Sequence, residues 1–416
     1  MYAKRPLWFV VLLSLSVMLS LLIAALCSLG SASSAPGEHR TPGQLATPAT
    51  ELRGVWLTNI DSDVLFSRAK LADALQKLDR LNFNTVYPTV WNWGYTLYPS
   101  SVAENAIGRA VDPEPGLRGR DMLEEIVEQG HALGMSVIPW FEFGFMAPAD
   151  SDLAARHPEW IASRSDGSQI VKEGKHDRVW LNPFHPEVQE FIVDLIAEIV
   201  TNYDIDGIQL DDHFGLPVQL GYDPYTVQLY QMEHQGQSPP DNPVDPEWIR
   251  WRANKITGVM AQVFAAVKGQ KPHAIVALSP NPQAFAYRNY LQDWFNWERR
   301  GFVEELILQV YRNDLDRFIL ELKRPEVQIA INHIPVAVGI LTGLKNRPVR
   351  TELLQQQVQA MRSQGLAGVS FFFYETLWNL TLEKPAERQA AFRDMFPKPA
   401  ARPSLLHCWR RPDLNQ

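Results

Sequence analysis

Residues 203–214 read Tyr203-Asp204-Ile205-Asp206-Gly207-Ile208-Gln209-Leu210-Asp211-Asp212-His213-Phe214, and the prediction of the fold starts from them. Its centre, from Gly207 to Leu210, has the pattern of a short buried strand, and the strand runs directly into two carboxylates and a histidine. Because strand side chains alternate between faces, Gln209 and Asp211 point one way and Ile208 and Leu210 the other. An unpaired buried carboxylate is costly, so acids at the end of a buried strand indicate function more than packing.

The two aspartates allow two interpretations. Asp211 or Asp212 could cap the next segment or pair with an arginine. Alternatively, they are catalytic carboxylates at the carboxyl end of a barrel strand, where the active sites of (β/α)8 barrels lie.

Further strand patterns alternate with helical patterns on both sides of this stretch. The predicted strands lie at 53–59, 84–88, 135–142, 207–210, 274–279, 305–311, 335–340 and 368–375. This order predicts an α/β fold, a (β/α)8 TIM barrel over residues 51–396, with long insertions after strand three (143–185) and strand four (213–245). A hairpin turned at Asp166-Gly167 is expected in the first insertion. A doubly wound open sheet is the rival fold, but no glycine-rich phosphate turn follows the first strand.

The two ends of the chain have a different composition from the predicted barrel. Residues 1–35 combine Lys4 and Arg5 with an uncharged apolar run at 7–29 and then small residues, which predicts a signal peptide or an N-terminal membrane anchor. Cys27 also leaves a lipoprotein signal open. We therefore expect an extracytoplasmic protein that is periplasmic, secreted or attached to a membrane through residues 7–29. Residues 36–50 are predicted to be a flexible linker, and residues 397–416 a loose C-terminal tail.

The composition also excludes several classes of function. A formal net charge of −8 and the lack of a basic block outside the termini argue against nucleic-acid binding. Cys27 and Cys408 are the only cysteines, so neither an internal disulfide nor a cysteine metal site is expected. The sequence has no His-Glu-x-x-His, P-loop or Gly-x-Ser-x-Gly motif, and we expect no metal and no cofactor.

Acidic, amide and aromatic residues lie at the predicted carboxyl ends of the strands. The candidate catalytic residues are Asp211, Asp212 and Glu142, whereas Asp314 is predicted to cap the helix that follows it. The candidate substrate-binding residues are Asn59, Trp91, Trp93, Trp140, Gln209, His213, Asn281, Gln309, Tyr311, Tyr374 and Glu375. Cleavage of a glycosidic bond needs one carboxyl group to protonate the leaving oxygen and a second to stabilise or attack the sugar cation. Glu142 follows Trp140-Phe141 in dry surroundings that raise a carboxyl pKa, so we assign it as the acid and Asp211 as the nucleophile or charge stabiliser.

Several motifs in a fixed order resemble a known family. They are Arg53-Gly54-Val55-Trp56-Leu57-Thr58-Asn59, Phe83-Asn84-Thr85-Val86-Tyr87-Pro88, Trp140-Phe141-Glu142, Leu181-Asn182-Pro183, Asp206-Gly207-Ile208-Gln209-Leu210-Asp211-Asp212 and Gln309-Val310-Tyr311-Arg312. Together they resemble glycosyl-hydrolase-like family 10 over roughly residues 51–395.

The resemblance implies a TIM-barrel, glycosidase-like domain of secreted or envelope-attached bacterial proteins. Some members are implicated in cutting peptidoglycan glycan strands that have lost their stem peptides. By matching position, the strand-four acid of the family falls on Asp211 or Asp212 and its strand-three acid on Glu142. His213 stands where the family commonly has tyrosine, so the resemblance does not fix the substrate.

Three hypotheses follow from the sequence. The first is a hydrolase of β-linked glycans, such as amino-sugar polymers of the cell envelope, acting through Asp211 or Asp212 with Glu142. The second is a barrel that binds carbohydrate without cutting it, because folds of this kind can lose an acid and keep the cleft. The third is a membrane-anchored scaffold whose aromatic loops contact a protein partner.

Overall fold

The computed structural model describes residues 48–405, and its main sheet is parallel throughout. We number the strands of this sheet in chain order. They are β1 (Leu52–Leu57), β2 (Thr85–Pro88), β3 (Ser136–Val137 and Trp140–Phe141), β4 (Gly207–Asp211), β5 (Ile275–Ser279), β6 (Glu305–Gln309), β7 (Val336–Leu341) and β8 (Gly368–Phe372).

Helices separate the strands and cover the outside of the sheet. The longer helices are Arg68–Asp79, Met122–Ala132, Pro186–Asn202, Pro246–Gln270, Gln283–Tyr290, Leu315–Leu322, Thr351–Ser363 and Pro385–Met395. Shorter helices lie at Ser101–Ile107, Asp152–Arg156, Trp294–Arg299, Pro325–Ala330 and Tyr374–Trp378. The prediction for Asp314 is confirmed, because its carboxylate accepts a hydrogen bond of 2.8 Å from the backbone N–H of Arg317 at the start of a helix.

The sheet closes on itself through β3. The first piece of β3 pairs with β2, and its second piece pairs with β4 on the opposite side. Pro139 separates the two pieces, because proline has no N–H to donate to a ladder, yet its carbonyl still accepts from Gln209 N at 2.8 Å. The remaining pairings run β2–β1–β8–β7–β6–β5–β4. The predicted (β/α)8 TIM barrel is therefore confirmed.

The barrel interior is filled by large side chains from alternate positions of the strands. Trp56 lies at the centre, and its Nε1 donates to Oε1 of Gln209 at 2.7 Å. Trp140 packs beside it with 6.1 Å between ring centroids. Gly339 makes room for this packing, because a Cβ there would lie 3.1 Å from the Trp56 ring. Ile208 and Leu210 face outward into the layer between sheet and helices, as the alternation predicts.

Both predicted insertions contain ordered structure. Residues 143–185 form a small antiparallel sheet of Met146–Pro148, Val171–Glu173 and His176–Trp180. A turn forms at Asp166-Gly167, but the paired strands turn later, at Gly174 and Lys175. Residues 213–245 contain the helix Pro224–Glu233.

Contrary to the expected loose tail, residues 397–405 pack against the amino-terminal end of the barrel. The Lys398 carbonyl accepts a hydrogen bond from Arg53, and Ala401 pairs with Thr50. Arg402 reaches into the barrel and forms an ion pair with Glu305, whose side chain is 1% exposed. The tail is ordered here because Arg402 supplies the positive charge that a buried glutamate needs.

The predictions for residues 1–35, for most of the linker 36–50 and for 406–416 lie outside the described residues. Within residues 48–405, no helix is long and apolar enough to cross a membrane.

Candidate active site

Three carboxyl groups and a histidine meet where β3 and β4 end. Asp211 is the last residue of β4, and Asp212 and His213 follow it. Glu142 comes directly after β3. Nδ1 of His213 lies 3.1 Å from the Glu142 carbonyl, 3.2 Å from Oδ1 of Asp212 and 3.5 Å from Oδ2 of Asp211. The strand order of the barrel thus brings together the acids that are far apart in sequence.

Asp211 is the most firmly held of these carboxylates. Its Oδ1 accepts hydrogen bonds from Ser279 Oγ and from Gln309 Nε2, both at 2.7 Å. Its backbone carbonyl accepts from Gln292 Nε2 at 2.9 Å. Ser279 and Gln309 are the last residues of β5 and β6, so neighbouring strands fix the position of Asp211. Because Oδ1 accepts two hydrogen bonds and Oδ2 lies 3.5 Å from Nδ1 of His213, Asp211 is suited to carry a negative charge while it is buried.

Glu142 lies in surroundings that favour its protonated form. Burial, and after it the negative charge of Asp211, raise the pKa of Glu142 from the ordinary 4.5 to about 8. His213, Asn92 and Thr89 act in the opposite direction. Asn92 donates to Oε2 of Glu142 at 2.5 Å and Thr89 does so at 3.3 Å, which fixes the orientation of the carboxyl group. Glu142 therefore holds a proton at neutral pH.

Asp212 and His213 are coupled to each other. Burial raises the pKa of Asp212 above its ordinary value, and the nearby His213 charge acts in the opposite direction. Burial lowers the pKa of His213, but Asp212, Asp211 and Glu173 together outweigh this and raise it well above its ordinary value. Oδ2 of Asp212 accepts a hydrogen bond from Asn281. The hydrogen bond between Asn281 and Asp212 thus links the end of β4 to the loop after β5.

Asp211, Asp212 and His213 each offer one possible metal ligand, and these atoms lie within 4.8 Å of one another. The ion pairs between His213 and the two carboxylates account for this spacing, because a protonated imidazole has no lone pair for a metal.

Other predicted substrate-binding residues border the acids. Tyr311 is buried close to these acids. Burial and the nearby acids Asp211, Asp212 and Glu142 raise the pKa of its hydroxyl group well above the ordinary value. Its ring stacks on Phe372 with 5.6 Å between centroids. Asn59 reaches the site through Asn92, whose Nδ2 donates to Oδ1 of Asn59 at 2.9 Å.

Trp93, another predicted substrate-binding residue, forms a wall with residues of the first insertion. Its ring stacks on Phe143, with 6.2 Å between centroids.

Two predicted residues are part of the barrel interior instead. Gln209 and Trp140 are 0% and 2% exposed, and both pack around Trp56 below the acids. Strand alternation correctly predicts that Gln209 points inward, but it does not give depth along the barrel. Gln209 lies one layer below Asp211 and supports the floor of the site.

Three further predicted residues lie away from the acids. Trp91 is fully buried against Phe141 and Phe191, and its Nε1 donates to the Gly144 carbonyl. The structure thus makes Trp91 a packing residue and not a sugar contact. Tyr374 and Glu375 line a separate cleft of about 530 Å³. The chain turns into the helix Tyr374–Trp378 directly after β8, which carries both side chains away from the acids.

Several residues of the site were not predicted from the sequence. They are Thr89, Asn92, Ser279, Gln292, Glu173 and Arg178. Ser279 could have been found, because it ends a predicted strand. Glu173 and Arg178 come from the first insertion and have no signal in the sequence, since only folding of the insertion brings them to His213.

A closed (β/α)8 barrel with carboxyl groups gathered at the carboxyl ends of its strands is the architecture of TIM-barrel glycoside hydrolases. Solved structures agree on the fold. The glycoside hydrolase domain of PgaB (BpsB) from Bordetella bronchiseptica superposes with a TM-score of 0.58 at 15% identity, covering 81% of this chain and 100% of that one. The catalytic domain of β-amylase from Paenibacillus polymyxa gives 0.58 at 11% identity, covering 84% and 99%.

Residues 51–361 match the family described as Glycosyl hydrolase-like 10, and the chain belongs to that family. It is similar to glycosyl hydrolase DigH of Escherichia coli strain K12, at 26% identity over 336 residues that cover 66% of this chain and 69% of that protein. It is also similar to glycosyl hydrolase YngK of Bacillus subtilis strain 168, at 25% identity, where the match covers 63% of this chain and 54% of that protein. The family resemblance predicted from the motifs is confirmed.

Proposed function

We propose that this protein is an extracytoplasmic glycoside hydrolase that cuts envelope glycans, with peptide-free peptidoglycan strands as the first candidate substrate. The observation that carries the proposal is the contrast between two neighbouring carboxyl groups. Glu142 has a pKa of about 8, whereas Asp211 accepts two hydrogen bonds on one oxygen. Acid-assisted cleavage of a glycosidic bond needs one protonated and one ionised carboxyl group, and these two environments favour that division. The leader-like residues 1–35 support the location.

The roles follow from these environments. Glu142 donates its proton to the glycosidic oxygen as the bond from that oxygen to the anomeric carbon breaks. Asp211 stabilises or attacks the positive charge that develops at the anomeric carbon. Water then completes the cleavage: its hydroxyl group joins the anomeric carbon and displaces Asp211 from any bond formed there, and its remaining proton restores Glu142. Asp212 acts as a positioning residue, because it holds His213 and Asn281 beside Asp211.

The test incubates the purified protein with peptide-free peptidoglycan strands and, in parallel, with a panel of plain polysaccharides. Products are followed by mass spectrometry for the wild type, Asp211→Asn and Glu142→Gln. We expect shortened glycans with the wild type, and a loss of roughly 100- to 10,000-fold in rate with Glu142→Gln. Thermal stabilisation by a glycan without any products would instead support the non-catalytic carbohydrate-binding barrel.

A further inference from the structure

Arg178 is a buried arginine in the wall beside the acids. It belongs to the strand His176–Trp180 of the first insertion and is 5% exposed. Its guanidinium carbon lies 4.4 Å from the centre of the Trp93 ring and 5.0 Å from that of Phe143. Two aromatic side chains therefore hold the guanidinium in place, which reduces the conformational freedom that it would lose on binding a ligand.

Nε of Arg178 is fully shielded from solvent and has no hydrogen-bond partner among residues 48–405. The nearest carboxylate is that of Glu173, whose Oε2 lies 3.6 Å from Nε, beyond hydrogen-bond distance. The other oxygen of Glu173 lies 3.2 Å from Nε2 of His213. Glu173 thus balances the charge of Arg178 but leaves Nε without a hydrogen bond, and a buried donor without a partner is costly.

Arg178 is connected to the catalytic groups from two sides. On one side, Glu173 lies between Arg178 and His213. On the other, Trp93 follows Asn92, the residue that donates to Glu142. A substrate bound across Glu142 and Asp211 would therefore pass along the wall that Arg178 and Trp93 form.

We propose that Arg178 binds a carboxylate carried by a sugar of the substrate, next to the bond that is cut; this specificity rests on the proposed function. The flat fork of a guanidinium matches a carboxylate with two parallel hydrogen bonds. A doubly charged phosphate fits less well, because the negative charges of Glu173 and Asp150 already act on this guanidinium and would repel a second negative charge more strongly than the first. In peptidoglycan, removal of the stem peptide frees the lactyl carboxylate of each muramic acid, which supplies such a group.

The experiment compares peptide-free peptidoglycan strands with the same strands after chemical reduction of their carboxylates to alcohols. We expect the wild type to cleave the carboxylate strands with a kcat/KM about 10- to 100-fold higher than the reduced strands. Arg178→Gln should lose that factor on carboxylate strands and change little on reduced strands. Arg178→Lys should recover only part of it, because lysine keeps the charge but not the fork.

Lys172→Gln is the matched control. Lys172 lies on the same small sheet, its side chain is 69% exposed, and it pairs with Asp177. Its replacement removes one positive charge from the insertion without touching the wall, so the preference for carboxylate strands should stay unchanged.

If the Arg178 variants fold poorly, the ratio of kcat/KM between carboxylate strands and reduced strands in the wild type still tests the proposal. Equal cleavage of both strands by the wild type, or an equal loss on both strands in Arg178→Gln, would overturn it. Absence of cleavage on every glycan would instead refute the proposed function. In that case calorimetry of strand binding to the Asp211→Asn variant still tests the role of Arg178. Asp211→Asn should bind carboxylate strands more tightly than reduced strands, and this difference should disappear in the double variant that also carries Arg178→Gln.

Discussion

At the scale of single residues, Glu142 and Asp211 show how position decides chemistry. Both are carboxylic acids at the end of a barrel strand. Glu142 receives its two side-chain hydrogen bonds on one oxygen and lies in buried surroundings that keep it protonated, whereas Asp211 is held by Ser279 and Gln309. Motifs and strand ends predicted which acids meet. The hydrogen bonds that separate their roles come from other strands, so the sequence gives no direct sign of them.

The pKa of Glu142 predicts the alkaline limit of activity. If Glu142 is the general acid, kcat/KM should fall about tenfold per pH unit above roughly pH 8, because the free enzyme loses the required proton. Asp212→Asn should keep this alkaline limb, whereas the residual activity of Glu142→Gln should lack it. Profiles of kcat/KM against pH measure both. A limb that survives in Glu142→Gln and vanishes in Asp212→Asn would make Asp212 the acid.

The same pKa predicts a stability effect. The folded-state pKa of Glu142 is raised from 4.5 to about 8, so the folded protein binds a proton that the unfolded chain releases between these values. Wild-type stability therefore declines as pH rises through this window. Glu142→Gln cannot ionise, so its melting temperature should match the wild type near pH 4 and exceed it near pH 8.

Thermal unfolding over this pH range checks the prediction, with the exposed Glu190→Gln as the control. A difference between Glu142→Gln and the wild type that does not grow with pH would contradict the raised pKa.

At the scale of elements, β3 and the insertion after it show what sequence patterns can and cannot give. The alternation predicted one strand over 135–142, and Pro139 divides it into two pieces that close the barrel. The position of Glu142 was unaffected, because strand direction fixes which end faces the cleft. The insertion was predicted to turn at Asp166-Gly167, yet its paired strands turn at Gly174 and Lys175. Local turn signals could not distinguish these sites, since the pairing depends on contacts with the barrel.

The loop after β3 depends on a glycine. Gly144 has a φ of +51°, and a Cβ there would lie 2.6 Å from the carbonyl oxygen of His213. Gly144→Ala should therefore cost more than the roughly 1 kcal/mol of a left-handed alanine, and it should lower kcat/KM by displacing His213. Gly167→Ala is the matched control, because Gly167 has a φ of +82° but no atom within 4 Å of its Cβ position.

Chemical denaturation and kcat/KM are measured for both glycine variants. Equal destabilisation with full activity in both would show that the close approach of Gly144 to His213 has no functional importance.

At the scale of the whole molecule, periodicity was enough to predict the barrel, because each strand and helix carries its own pattern. The packing of the C-terminal residues 397–405 against the barrel could not be predicted in this way. Residues 397–405 have no periodicity, and their order comes from Arg402 meeting Glu305 and Thr85 inside the far end of the barrel. The separate cleft of Tyr374 and Glu375 was missed for a similar reason, since a helix begins directly after β8.

The tail predicts a stability effect far from the acids. Arg402→Met should destabilise the protein by about 3–5 kcal/mol, because it leaves Glu305 buried without a counter-charge. Adding Glu305→Gln should recover much of this loss. Urea unfolding measures both, with the exposed Arg393→Met on the last helix as the control. A loss in Arg402→Met no larger than that in Arg393→Met would show that the tail does not close the barrel in solution.

We propose above all that Asp211 and Glu142 hydrolyse a glycosidic bond. The most direct measurement is cleavage of peptide-free peptidoglycan strands in heavy-oxygen water, with mass spectrometry of the new reducing ends. The predicted result is shortened strands that each carry one heavy oxygen at the new end, formed by the wild type and lost in Asp211→Asn and Glu142→Gln. Products of the same amount in both variants, or none from the wild type on any glycan of the panel, would contradict it.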